Sequence, residues 1–81
     1  MVGDEHRIQK LFSEALGSWK KQKEALKKNE VEKARTYYNE MLSHLKEIKS
    51  LGYPQDVRKF LAETPELPTQ FLLKELGLKE Q

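Results

Sequence analysis

The residues of this chain that can do chemistry are few and widely spaced. There is no cysteine, and the two histidines, His6 and His44, lie far apart. Glu40 and Glu47 lie four residues before and three residues after His44, a spacing that places all three side chains on one face of a helix. One imidazole and two carboxylates lack the fourth protein ligand of a typical zinc site. We therefore expect a surface histidine between two acids, and neither a metal nor a cofactor.

Covalent catalysis and phosphate transfer are not indicated either. Every serine falls inside a predicted helix, with no sharp turn to expose its hydroxyl group. The four glycines are isolated and do not form a phosphate-binding loop. A chain of 81 residues also builds a thin core, which rarely encloses a pocket of ligand size. We predict that the chain is not an enzyme.

A dense run of cations near the middle of the sequence offers a different chemistry. Its members are Lys20, Lys21, Lys23, Lys27, Lys28, Lys33 and Arg35. Such a cluster binds nucleic-acid phosphates, and Trp19 and Tyr37 are close enough in sequence to stack on bases. The same lysines can instead complement a helix dipole without any partner. Both interpretations stay open.

Apolar spacing predicts two long helices that position these residues. The first stripe recurs every three, four or seven residues and contains Ile8, Leu11, Phe12, Ala15, Trp19 and Leu26. It indicates a helix over 4–28, with Asp4 as its cap. The second stripe indicates a helix over 30–51 and contains Val31, Ala34, Tyr38, Met41, Leu42, Leu45 and Ile48. Between them, Asn29 suits a left-handed helix end and a cap for the second helix, with Glu32 completing a capping box.

The composition changes after residue 51, where all three prolines occur. These breaks predict two short helices, over 54–63 and 69–77. No alternation typical of a β-strand is present. We therefore predict an all-α fold in one domain over 1–81: an antiparallel hairpin of two long helices packed with two short C-terminal helices, a small helical bundle.

Large apolar groups are more numerous on the short elements than one helix face can hold. Phe71 and Leu72 are adjacent and cannot both point the same way. Exposed aromatic and leucine side chains beside lysines are typical of helix-in-groove recognition, although a small domain can also use them to complete its core. The candidate partner-binding residues are Tyr37, Tyr53, Phe71, Leu72, Lys33 and Lys74.

One segment resembles known helical hairpins. The run from Asn29 to Leu42 places Ala34, Tyr38 and Met41 after a turn residue, as does the second helix of tetratricopeptide-type hairpins. It is also similar to the second helix of the microtubule-interacting-and-trafficking (MIT) family of three-helix domains. The resemblance implies a hairpin that binds peptide helices or partner proteins, and it assigns no individual functional residue.

Hydropathy argues against a membrane protein and against a secreted one. The longest run of bulky apolar residues covers only 71–73, whereas a membrane span needs roughly 20 residues. The first residues contain no apolar stretch that could act as a signal peptide, so we expect an intracellular protein. The leading hypothesis is a non-enzymatic interaction or adaptor module that binds a partner helix or peptide. The alternatives are a nucleic-acid-binding domain that uses the lysine-rich tip, and a self-associating bundle subunit.

Overall fold

The computed structural model describes residues 2–78, which form four α-helices and no β-strand. Helix α1 spans Val2–Lys27 and α2 spans Val31–Ser50. Helix α3 spans Pro54–Glu63 and α4 spans Thr69–Glu75. The predicted all-α fold, with two long helices followed by two short ones, is confirmed.

Helices α1 and α2 pack as an antiparallel hairpin. Contacts at both ends fix this direction, since Arg7 binds Glu47 and Lys21 contacts Tyr37. Most buried residues of these two helices lie three, four or seven positions apart. They are Ile8, Leu11, Ala15, Ser18 and Ala25 on α1, and Ala34, Met41, Leu42, Leu45 and Ile48 on α2. This is the spacing that keeps one stripe of a helix against its partner over many turns.

Near the turn, the seam is made of alanines. Ala25 and Ala34 are 4% and 3% exposed, whereas Leu26 and Val31, both predicted in the core, are 51% and 59% exposed. The prediction was wrong for these two residues because Ala25 and Ala34 enter the seam, and at about 100° per residue Leu26 is turned about 100° from Ala25 and Val31 about 60° from Ala34. Residues that share one broad stripe are thereby divided between the seam and its flank.

The turn itself is held by the backbone. Asn29 has a φ of 60°, the left-handed conformation expected for it. The residue before α2 is Glu30, which makes no side-chain cap hydrogen bond, so the predicted Asn29 cap and Glu32 capping box are wrong. The Glu30 amide instead donates to the Ala25 carbonyl at 2.8 Å. Asp4 does not cap α1 either, because the helix begins two residues earlier.

Residues 54–78, which we call the lid, cover one side of the hairpin and complete its core. The buried lid residues are Val57, Leu61, Leu67, Leu72, Leu73 and Leu76. They form a single apolar cluster with buried residues of the long helices: Ile8, Leu11 and Ala15 of α1 and Met41, Leu42, Leu45 and Ile48 of α2. The Lys49 ammonium donates to the Leu76 carbonyl at 2.6 Å, which ties the end of α4 to α2.

Candidate interaction surfaces

The lid covers only part of the length of α1. Phe12, Trp19 and Leu26 are spaced by seven residues and follow one flank of the helix. Phe12 stacks on Phe60 of the lid, with ring centroids 4.6 Å apart. Trp19 is partly buried against the core, while Leu26, about 10 Å further along the axis, is 51% exposed. The end of the hairpin next to the turn is therefore uncovered on this flank.

An ion pair marks the edge of the lid. Lys23 donates to the Glu66 carboxylate at 2.9 Å and joins α1 to the connection between α3 and α4. This hydrogen bond and the Lys23 charge hold the pKa of Glu66 below its usual value. The indole nitrogen of Trp19 is buried without a hydrogen bond of standard geometry, but its N–H lies close enough to Glu66 to add to that lowering of the pKa.

The same boundary appears on α2. The Tyr38 ring lies 6.5 Å from the Phe71 ring of α4, at an interplanar angle of 43°. Burial raises the pKa of the Tyr38 hydroxyl, as does the negative charge of Glu75, and this hydroxyl has no hydrogen-bond partner within the described chain. Val31 lies two turns before Tyr38 on the same flank and is 59% exposed.

The side chains at this boundary form one apolar area, which we call the tip surface. It comprises Trp19, Leu26, Val31, Tyr38 and Phe71. The last of these is 52% exposed, and Leu26, Val31 and Phe71 are the exposed large apolar side chains of the part of the chain that the structure describes. Sequence analysis missed Leu26 and Val31 as surface residues, and their position seven residues from Trp19 and Tyr38 was the signal that they share a flank.

Phe71 and Leu72 have opposite environments despite being adjacent. Phe71 lies on the tip surface, but Leu72 is fully buried in the core, so its predicted use as a partner-binding residue is wrong. The reason is the turn of about 100° between successive residues of a helix. Lys74, also predicted, is exposed and lines a shallow cavity with Lys46 and Lys49.

Tyr53 makes an intramolecular contact at the other end of the hairpin. Its hydroxyl donates to the Asp4 carboxylate at 3.1 Å, and its ring packs against the core. The hydrogen bond to Asp4 and the charge of that carboxylate raise the pKa of Tyr53. The contact joins the start of α1 to the connection before α3, which gives Tyr53 a structural role.

The predicted cations are divided between the two sides of the hairpin. A groove of about 320 Å³ between α1 and α2, on the flank away from the lid, is lined by four lysines, two carboxylates and an aromatic ring: Lys20, Lys21, Lys28, Lys33, Glu24, Glu30 and Tyr37. The Lys21 ammonium lies 5.8 Å from the centroid of the Tyr37 ring. The remaining predicted cations are outside this groove: Lys23 is bound to Glu66, Lys27 lies 3.8 Å from Glu24, and Arg35 is exposed four residues after Val31.

One lysine of this groove is already neutralised. Lys33 donates to Glu30 at 2.9 Å across one turn of α2. Its hydrogen bond and charge lower the pKa of Glu30, and Glu30 in turn raises the pKa of Lys33. The groove therefore presents fewer available charges than the sequence suggests.

The residues considered for a metal have separate partners. The His44 imidazole lies 3.7 Å from Glu14, across the seam on α1. Glu47 accepts a hydrogen bond from Arg7 at 2.6 Å, and Glu40 accepts one from Ser18 at 3.5 Å. Over the described residues, no group of three or more histidines and carboxylates is arranged to hold a metal ion.

No family model, curated protein or solved structure matches this chain. The resemblance to tetratricopeptide-type and MIT hairpins therefore stays a prediction. In the part of the chain placed by the structure, no helix combines the length and the apolar character needed to cross a membrane. The geometry of the exposed surfaces is thus the basis for a functional proposal.

Proposed function

We propose that this chain is a non-enzymatic, intracellular protein-interaction module that binds an amphipathic helix of a partner protein on the tip surface. One observation carries the proposal. Of the exposed large apolar side chains of the described chain, Leu26 and Val31 lie beyond the edge of the lid, and Phe71 lies at that edge, next to Tyr38. Clustered exposed apolar groups of this kind mark interaction sites.

A helix is the occupant that fits the shape of this surface. Helix α4 already covers part of α2, with Phe71 beside Tyr38 and the Leu76 carbonyl bound by Lys49. At 1.5 Å per residue, α1 is about 39 Å long and α4 only about 10 Å long. A partner helix laid beyond α4 would cover the remaining apolar groups of the tip surface.

Charge indicates the character of that partner. Lys27 adjoins Leu26, and Arg35 lies one turn after Val31. A partner helix with acidic residues beside its apolar face would meet these cations with complementary charge. A second copy of this chain, by contrast, would bring the same cations against each other.

A titration with a designed peptide tests the proposal. The probe is a helical peptide of about 15 residues with leucines at helical spacing and glutamates elsewhere. We expect it to shift the backbone amide resonances around Leu26, Val31 and Phe71 in isotope-labelled protein, and to bind more weakly as salt is added.

Matched variants make the test specific. Replacing both Leu26 and Val31 by alanine should weaken binding about tenfold or more, since half-exposed anchors become buried on binding. Tyr37→Ala is the control, because this aromatic residue is next to Tyr38 in sequence but lies on the other flank. Equal loss of affinity in both variants, or equal affinity for a lysine version of the peptide, would contradict the proposal.

A second candidate function is nucleic-acid binding by the lysine groove. The observation that favours it is the convergence of Lys20, Lys21, Lys28 and Lys33 around Tyr37. If it operates, affinity for a generic DNA duplex falls steeply between low and moderate salt, and a Lys21→Glu, Lys28→Glu double variant loses binding. Affinity that is insensitive to salt would remove this candidate.

A further inference from the structure

We infer that the cleft between α1 and α3 is a second docking site, which takes an arginine-bearing segment of a partner protein. The cleft lies at the end of the hairpin away from the turn and has a volume of about 800 Å³. Its lining belongs to the first half of α1, to α3 and to residues next to α3. It shares no residue with the tip surface. The cleft lining is negatively charged, whereas the charged residues beside the tip surface are cations.

The floor of the cleft is apolar and aromatic. Phe12 and Phe60 stack with centroids 4.6 Å apart and an interplanar angle of 15°. Ile8 lies beside them, 7% exposed. Both phenylalanine side chains are only partly buried, so their rings remain accessible from the cleft. Such rings accept the flat face or the methylene stem of an arginine side chain.

The rim of the cleft is acidic. It carries the carboxylates of Glu5, Asp56 and Glu63, while Lys59 is the cation among the described lining residues. No ion pair ties the three carboxylates to other residues that the structure describes. The lining is thus net negative in a chain whose overall charge is +2. Guanidinium groups match carboxylates with two parallel hydrogen bonds, which favours arginine over lysine as the incoming residue.

The cations of a second copy fit this cleft less well. Lys23 is bound to Glu66, Lys33 to Glu30 and Arg7 to Glu47, so these cations would have to leave partners within their own chain, and Arg35 would bring one guanidinium group to three carboxylates. A separate partner with unpaired arginines has no such cost. The cleft and the tip surface together would let the module bridge two partners of opposite charge.

The experiment is a titration of isotope-labelled protein with a blocked peptide of alternating arginine and leucine. We expect amide shifts to concentrate at residues 5–12 and 56–64. An Asp56→Asn, Glu63→Gln double variant should weaken binding about fivefold, as for the loss of two exposed charge pairs. The control Glu24→Gln, Glu32→Gln changes the net charge equally but lies outside the cleft, and it should leave affinity within about twofold.

Several outcomes would overturn the inference. These are equal weakening in both double variants, shifts that map elsewhere, or equal binding of a peptide that alternates glutamate and leucine. Dimers seen by sedimentation in the absence of peptide, and abolished by the Asp56→Asn, Glu63→Gln variant, would assign the cleft to a second copy instead. The Leu26→Ala, Val31→Ala variant should bind the arginine peptide normally, which separates failure of this inference from failure of the tip-surface proposal.

Discussion

Adjacent truncations on α4 distinguish the exposed tip surface from the core. Leu72 is fully buried, and a leucine-to-alanine change at such a site costs about 2–5 kcal/mol because a cavity remains. Phe71 is 52% exposed, so its truncation loses only about half of the 1.5–3 kcal/mol of a fully buried side chain. Alanine recovers about 0.5 kcal/mol of helix propensity. We therefore expect Phe71→Ala to cost below about 1 kcal/mol in total.

Urea unfolding followed by circular dichroism measures both variants. A domain of this size has a total free energy of unfolding of about 4–12 kcal/mol. Leu72→Ala should therefore lower the unfolding midpoint strongly, and Phe71→Ala should shift it slightly with an unchanged slope. Equal losses for the two variants would contradict this prediction, because the Phe71 ring would then be as buried as Leu72. So would a cost below about 1 kcal/mol for Leu72→Ala.

Three further predictions follow from single contacts. Tyr38→Phe removes a buried hydroxyl without a partner, so the free energy of unfolding should stay constant or rise by up to about 1 kcal/mol in urea unfolding; a clear loss would indicate a hidden hydrogen bond. Asn29→Val should cost about 1–2 kcal/mol in thermal unfolding because a β-branched residue resists positive φ, whereas Asn29→Gly should not. The lowered pKa of Glu66 means that its ion pair with Lys23 stabilises the lid at neutral pH and weakens as pH falls through that pKa. The Trp19 indole resonance should report this transition, and Glu66→Gln should abolish it.

The long helices were predictable because helix formation depends on the spacing and backbone preferences of neighbouring residues. Apolar residues that recur every three or four positions indicate an amphipathic helix, whichever element that helix packs against. The residues that end and begin helices also have intrinsic backbone preferences. Asn29 tolerates the left-handed conformation, and Pro54 suits the first turn of a helix. Such features depend on a few neighbouring residues only.

The surfaces were less predictable because they depend on how helices are rotated against each other. The stripe predicted for α1 contained Leu26 and not its neighbour Ala25, yet Ala25 enters the seam and Leu26 does not, because the packing of α2 decides between them. The rotation of α4 likewise decides between Phe71 and Leu72. Side-chain caps were predicted where backbone hydrogen bonds hold the turn, as at Glu30.

The most direct test of the central claim, that the lid leaves the tip surface bare, is methyl NMR with a soluble paramagnetic probe. We predict strong relaxation enhancement at the methyl groups of Leu26 and Val31, and little at those of Leu45 and Leu72. Enhancement at Leu26 and Val31 as weak as at Leu45 would contradict it, because the proposed docking surface would then be covered within the protein itself.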